Sequence, residues 1–188
     1  MKELLRVIKF TLDTKDYGVV IKPKEPDGPN WDLIMFTDSD FAGDKDSRIS
    51  VTGFILYLCG VAISWKSKGQ KSVTLSSSKA EFVALSEGAK DIKFVVQILL
   101  SMGIPVKLPV VVRVDNVGAI FMAENVTTST RTRHVDVRYH FVREFVEDKF
   151  IKIVFVRTTE NHSDIFTKNV TGDLYDIHTG TFLGKKKI

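Results

Sequence analysis

Apolar residues recur at helical spacing over one long stretch. Phe82, Leu85, Ala89, Ile92, Val96 and Leu99 step by three and four, which predicts an amphipathic helix of about seven turns. Two further stretches share that period: Leu4, Leu5, Ile8 and Leu12 near the start, and Val135, Tyr139, Val142 and Val146 later. Elsewhere the pattern is that of strands. WDLIMFTDSD, VTGFILYLCG, VAISWKSK, LPVVVRVDN and FIKIVFV are β-branched and aromatic runs bounded by turn residues, the second and third joined near Gly60. LPVVVRVDN is almost continuously apolar, as expected of a strand buried on both faces. Asn116 opens a short helix, VGAIFMAEN, and TTENHSDIFTKNV predicts a terminal helix that carries Asp164.

Three consecutive strands imply an antiparallel meander, and strands reached through helices imply parallel crossovers. The expected fold is therefore α/β, a mixed five-stranded sheet flanked by helices. Residues 1–30 read as a helix and a linker rich in Pro and Gly, residues 31–170 as the main domain, and residues 171–188 as a loosely ordered tail with no firm period.

Composition narrows the class. With 188 residues, 44% of them hydrophobic and 27% charged, the chain suffices for one domain with a substantial core. No apolar run approaches the ~20 residues that span a bilayer, so no membrane association is expected, and the N-terminus shows no signal-peptide pattern. The single Cys59, in an apolar run, excludes an internal disulfide and Cys-based zinc sites and reads as a buried thiol of a reducing, intracellular compartment.

The formal charge of +4 is unevenly spread. Residues 47–80 contain no acid but hold Arg48, Lys66, Lys68, Lys71 and Lys79; Arg131, Arg133, Arg138 and Arg143 form a second cluster. Trp65 with Lys66, Lys68 and Lys71 beside a turn is a candidate nucleic-acid surface, as are Arg131 and Arg133; a solvated strand end is the competing reading. Ser76, Ser77 and Ser78 are placed either to bind phosphate or to cap the long helix.

Four carboxylates stand at element ends: Asp38 near the end of the first strand, Glu81 at the start of the long helix, Asp115 after the buried strand, and Asp164 at the last helix. Taken singly, each has an ordinary explanation. Ser78-Lys79-Ala80-Glu81 fits a capping box, and the aspartates suit turns and caps. Taken together, with the first and fourth strands side by side and parallel, they meet at one sheet edge. Hard divalent cations such as Mg2+, held by oxygen ligands, relieve the repulsion there, and two ions about 3.5–4 Å apart cleave phosphodiesters without a Ser or Cys nucleophile.

The segments FTDSDFAGD, SVTGFILYLCGVAISWKSKGQKSVTLSSSKAEFVALSE, VRVDNVGAI, TRTRHVDVRYHFVREFVED and ENHSDIFTK resemble the successive motifs of the ribonuclease H domain of copia-type LTR retrotransposon Pol polyproteins. The resemblance runs from about Trp31 to Val170, and KELLRVIKFTLDTKDYG resembles the segment that links that domain to the reverse-transcriptase polymerase. It implies a ribonuclease H-like fold and hydrolysis of the RNA strand of RNA/DNA hybrids. It further implies two Mg2+ ions, replaceable by Mn2+, on Asp38, Glu81, Asp115 and Asp164. By analogy Asp38 bridges both ions, Asp164 helps hold the one carrying the attacking water, and Glu81 and Asp115 hold the other. Asp40, Asn116 and His162 become auxiliary candidates, His162 as a proton carrier in product release. The implied partners are an RNA/DNA hybrid and the polymerase domain, in a cytoplasmic virus-like particle or the nucleus. Lys79 departs from the family, which usually has an acid there. A non-catalytic remnant or host-adopted binding module is the alternative; loss of a carboxylate would favour it, and none is lost. An integrase core of the related fold is the third reading, and it requires its Glu late in the chain, not second.

Overall fold

The computed structural model of the protein describes residues 1–26, 28–43, 46–71, 73–125 and 133–185, apart from the side chains of Glu3 and residues 133–137. In chain order the elements are α1 (Lys2–Asp13), β1 (Tyr17–Val19), β2 (Leu33–Asp40), β3 (Val51–Leu58), β4 (Val61–Gly69), α2 (Ser77–Ser101), β5 (Val110–Val114), α3 (Val117–Glu124), α4 (Arg133–Glu147) and β6 (Ile151–Phe155). Two single 3-10 turns follow, Thr158–Glu160 and Asp164–Phe166, and then α5 (Gly172–Thr179) and β7 (Leu183–Lys185).

β2, β3 and β4 are joined by direct connections and pair antiparallel, whereas β5 and β6, each reached through helices, run parallel to β2. The sheet order β4-β3-β2-β5-β6 is the expected mixed α/β sheet. Alternation along β2 and β3 builds two cores. Leu33, Met35, Phe54 and Leu56 join the main one beneath α2, α3 and α4; Phe36, Ile55 and Tyr57 form a smaller one on the other face with Val156, Phe166 and Phe182.

All six residues of the predicted stripe on α2 are buried. Gly88 lets that helix press on β2, since a Cβ there would come within 2.5 Å of Met35 Sδ. The helix is capped by Ser76, whose Oγ accepts from the Lys79 N–H at 3.3 Å. The capping box on Ser78 is therefore not the one used, and the Glu81 carboxylate is left for another purpose.

The structure corrects the expectation for the end of the chain. Asp164 stands on a 3-10 turn, not on a terminal helix. Buried Asn161 donates through Nδ2 to the Thr37 carbonyl at 3.0 Å, and its Oδ1 accepts from the Ser163 N–H and hydroxyl. Such local side-chain bonds compete with helical ones. Residues 172–185, expected to be loosely held, carry regular structure: α5 forms, and β7 pairs antiparallel with β1, Tyr17 opposite Lys185. α1 forms as predicted, but Leu4, Leu5, Ile8 and Leu12 are all exposed. On another face of α1, Phe10 stands edge-on to Tyr175.

Gly53 of β3 lies opposite Asp38 and beneath the turn that bears Asp164; a Cβ there would be 2.5 Å from Thr167 Cγ2 and 3.1 Å from the Ser163 carbonyl. Gly53→Val is expected to cost about 1–3 kcal/mol by overpacking. It should also speed amide exchange in residues 161–168 more than in α2, as measured by denaturation and hydrogen exchange.

Candidate metal centre

The parallel register of β2 and β5 brings the first two carboxylates together. Thr37 lies opposite Val114, so Asp38 and Asp115 both emerge just beyond the last paired residues. α2 crosses the end of β2 at its first turns, and the Ser39 backbone N–H donates to Glu81 Oε1 at 3.1 Å. One oxygen from each of Asp38, Glu81 and Asp115 lies within 4.8 Å of the others, with Asp38 1% and Glu81 5% exposed and Asp115 half-buried.

The fourth carboxylate adjoins this group through a cation. Lys168 Nζ lies 3.2 Å from Asp164 Oδ2 and 3.5 Å from Asp38 Oδ2. Thr167 donates to Asp38 Oδ2 and to the Asp164 carbonyl, and Thr158 donates to Asp115 Oδ2 at 2.8 Å.

Burial and mutual repulsion govern the protonation of this cluster. Burial, then Asp38 and Asp115, push Glu81 up to about 9, against the Ser39 N–H. Burial and Asp38 raise Asp164 to about 7 although Lys168 opposes them. Asp38 is raised by burial, with Thr167 and Lys168 holding it back. For Lys168, burial works downward but Asp38 and Asp164 outweigh it, and the ammonium is held charged.

The residues fit a hard divalent cation. The donors are all carboxylate oxygens, and among the described residues Glu81 Oε2 and Asp164 Oδ1 are buried without a hydrogen-bond partner. Ionising a carboxyl buried in that condition is costly, so the group stays protonated unless a cation meets it.

The auxiliary candidates fare differently. Asp40 is not in the group; its carboxylate packs so closely on Gly43 that a Cβ there would overlap it. Asn116 caps α3, its Oδ1 accepting from the Ala119 N–H at 3.0 Å. His162, the candidate proton carrier, is half-buried, stacked on Phe36 at 4.1 Å, with Nδ1 at 3.1 Å from the Tyr57 hydroxyl. Burial, with His178 and Arg113, pushes it down to about 4, so it is neutral at pH 7 and serves packing where it stands.

Ser76 is a cap, Ser77 is exposed, and Ser78 packs against Gly118. Trp65 parts from its lysines: it pairs with Ile55 of the smaller core, whereas Lys66 pairs with Phe54 on the α2 side. Lys66, Lys68 and Lys71 instead line a cavity of about 320 Å³ with Gln70, Lys90 and Arg138, where Glu87 is the only acid among the lining residues. Arg131 and the side chain of Arg133 lie outside the described residues.

The parts that Thr158, Asn161, Thr167 and Lys168 play at this site went unread in the sequence. Lys168 alone left a signal, four residues after Asp164 and so on its side of any helical turn.

No protein-family model matches the chain. The retrovirus-related Pol polyprotein from transposon RE1 of Arabidopsis thaliana is 33% identical over 168 residues, 89% of this chain and 11% of the polyprotein. That from transposon TNT 1-94 of Nicotiana tabacum is 40% identical over 145 residues, 77% of this chain and again 11% of the polyprotein. The chain thus spans about a tenth of the length of these relatives. LC11-RNase H1, isolated from compost by a metagenomic approach, has a TM-score of 0.54 at 16% identity, covering 72% of this chain and 92% of that one. The same protein in complex with an RNA/DNA hybrid has a TM-score of 0.53 at 14% identity, covering 72% and 93%. The fold is that of ribonuclease H.

A carboxyl whose folded pKa lies above its unfolded value binds more protons when folded, so stability falls as pH rises between the two values. In chelator the melting temperature is expected to fall from about pH 4.5 to about pH 9 through Glu81, with Asp164 contributing up to about pH 7. Glu81→Gln should flatten the alkaline part of that profile and melt above wild type at pH 8, measured by calorimetry.

Proposed function

We propose that this ribonuclease H-fold chain, homologous to a segment of retrovirus-related Pol polyproteins of plant transposons, hydrolyses the RNA strand of RNA/DNA hybrids. Its cofactor in this reading is a pair of divalent cations, Mg2+ or Mn2+, held by Asp38, Glu81, Asp115 and Asp164. The observation that carries the reading is the convergence of Asp38, Glu81 and Asp115 at the ends of β2 and β5, with buried Glu81 Oε2 and Asp164 Oδ1 lacking a hydrogen-bond partner among the described residues.

When bound, such ions activate a water and stabilise the departing oxygen. Asp38 lies within the group that includes Glu81 and Asp115 and shares Lys168 with Asp164, which supports its serving both ion positions. Ser39 and Thr158 fix the Glu81 and Asp115 carboxylates, and Thr167 fixes Asp38. The residues thus hold their positions before substrate arrives, and little reorganisation is left to the reaction.

The lysine-lined cavity supplies the track for phosphates. Gln70 ties it to the site: its Nε2 donates to the carbonyl of Ala80, beside Glu81, at 3.0 Å, and to Thr52 Oγ1 at 3.1 Å. Lys68, Lys71, Lys90 and Arg138 there exceed the charge of Glu87, which already pairs with Lys66 and Lys90. A polyanion releases counterions on such a surface. Residues 31–170 form the catalytic domain in this reading. The exposed apolar face of α1 then packs on the polymerase part of the polyprotein, in a cytoplasmic particle or the nucleus.

With Mg2+ or Mn2+, a labelled hybrid should lose its RNA strand while duplex DNA and duplex RNA stay intact. Asp115→Asn should reduce that rate by about 10²–10³-fold, the scale of removing one group that stabilises developing charge. No hybrid cleavage, with hybrid binding retained, would favour the binding-module reading. Lys68→Glu and Arg138→Glu should each weaken hybrid binding in Ca2+ and lower the salt slope of log K by about 1, read by fluorescence anisotropy across ionic strengths.

A further inference from the structure

We propose that Lys168 is a resident counter-ion of the carboxylate site, one that a divalent cation must displace from Asp38 and Asp164 in order to bind there. The proposal rests on the reading that these carboxylates hold metal ions, and adds that the protein itself sets how readily they do so.

The geometry is specific. Lys168 rises from the same turn as Asp164, four residues on, and its Nζ reaches both Asp164 Oδ2, at 3.2 Å, and Asp38 Oδ2, at 3.5 Å. The two carboxylate side chains are only 3% and 2% exposed, whereas the lysine side chain is 36% exposed. The ammonium therefore enters from the solvent edge and covers a buried anionic pair. The adjacent Thr167 donates to the same Asp38 oxygen, so one short segment delivers both of these donors to it.

A divalent ion that took these two Oδ2 atoms at about 2.0–2.1 Å would stand beside an ammonium that contacts the same atoms. Two cations at such separations repel strongly inside a protein. Lysine's four-carbon stem is flexible and its head compact, so the less costly arrangement turns Lys168 outward. Metal affinity at Asp38 and Asp164 is then a difference: the grip of the oxygens on the ion, less their grip on Lys168.

The device is one-sided. Among the described residues Lys168 forms no ion pair with Glu81 or Asp115, and Glu81 Oε2 has no hydrogen-bond partner. Ions should fill the Asp38–Glu81–Asp115 side first. The side shared with Asp164, taxed by the lysine, should fill second and at higher concentration.

The test is calorimetric titration of Mn2+ into the full chain without nucleic acid, comparing wild type, Lys168→Met, Lys168→Arg and Asp115→Asn. Lys168→Met should tighten the weaker Mn2+ step about tenfold, a coupling of ordinary allosteric size, with Lys168→Arg close to wild type. In chelator Lys168→Met should melt below wild type, having lost the counter-ion. A second measurement needs no variant: Mg2+ should raise acetic anhydride labelling of Lys168 in the wild-type chain several-fold, read by mass spectrometry, while equal ionic strength of NaCl does not. Absence of any Mn2+ uptake sensitive to Asp115→Asn would remove the metal reading and this proposal with it. Uptake that Lys168→Met leaves unchanged or weakens, or labelling that Mg2+ leaves unchanged, would overturn the proposal alone.

Discussion

Repulsion among carboxylates brought together out of water is the constraint on which this structure turns. Asp38, Glu81 and Asp115 meet within 4.8 Å at the end of the sheet, and Asp164 joins them from the opposite core. A fold gains nothing in stability from such an arrangement, since burial and like charge both oppose ionisation. It persists because the surrounding packing over-determines it: α2 is seated on β2 through Gly88, and the Asp164 turn is seated on β3 through Gly53.

The compensation is layered. Backbone and hydroxyl donors from Ser39, Thr158 and Thr167 each satisfy one oxygen, and a single ammonium serves the deepest pair. What remains, on Glu81 Oε2 and Asp164 Oδ1, is anionic capacity that suits a hard cation. The same economy shapes the surroundings. Apart from Lys168, which pairs with Asp38 and Asp164, a separate basic group of Lys66, Lys68, Lys71, Lys90 and Arg138 lines the cavity between β4, α2 and α4. His162 lies elsewhere again, packed against Phe36 and Tyr57, with His178 tilted beside it at 6.0 Å.

Much of this was legible in the linear chain because it depends on local periodicity. The α2 stripe from Phe82 to Leu99, the five strands and their mixed order, and the cap at Asn116 all follow from patterns within about 25 residues. The placement of Asp38 and Asp115 also followed, since it requires only that two parallel strands end together. The fold family was readable through long motif resemblance, which the identities of 33% and 40% to transposon Pol polyproteins support.

Tertiary structure decided the rest, wherever a residue's role depends on a partner distant in the chain. Trp65 and Lys66 are neighbours in sequence, yet strand alternation sends them to opposite faces, so only one of them belongs to the cavity. Asn161 abolishes an expected helix by bonding Thr37, 124 residues away. Leu183–Lys185 form a strand because β7 finds β1 near the other end of the chain. Glu81 was readable as part of a capping box until Ser76 took the cap of α2 and β2 placed the Ser39 N–H beside the Glu81 carboxylate. A sequence period records which face of an element is apolar. It does not record what approaches that face, and the hydrogen bonds, ion pairs and pKa shifts of this site are all set by what approaches.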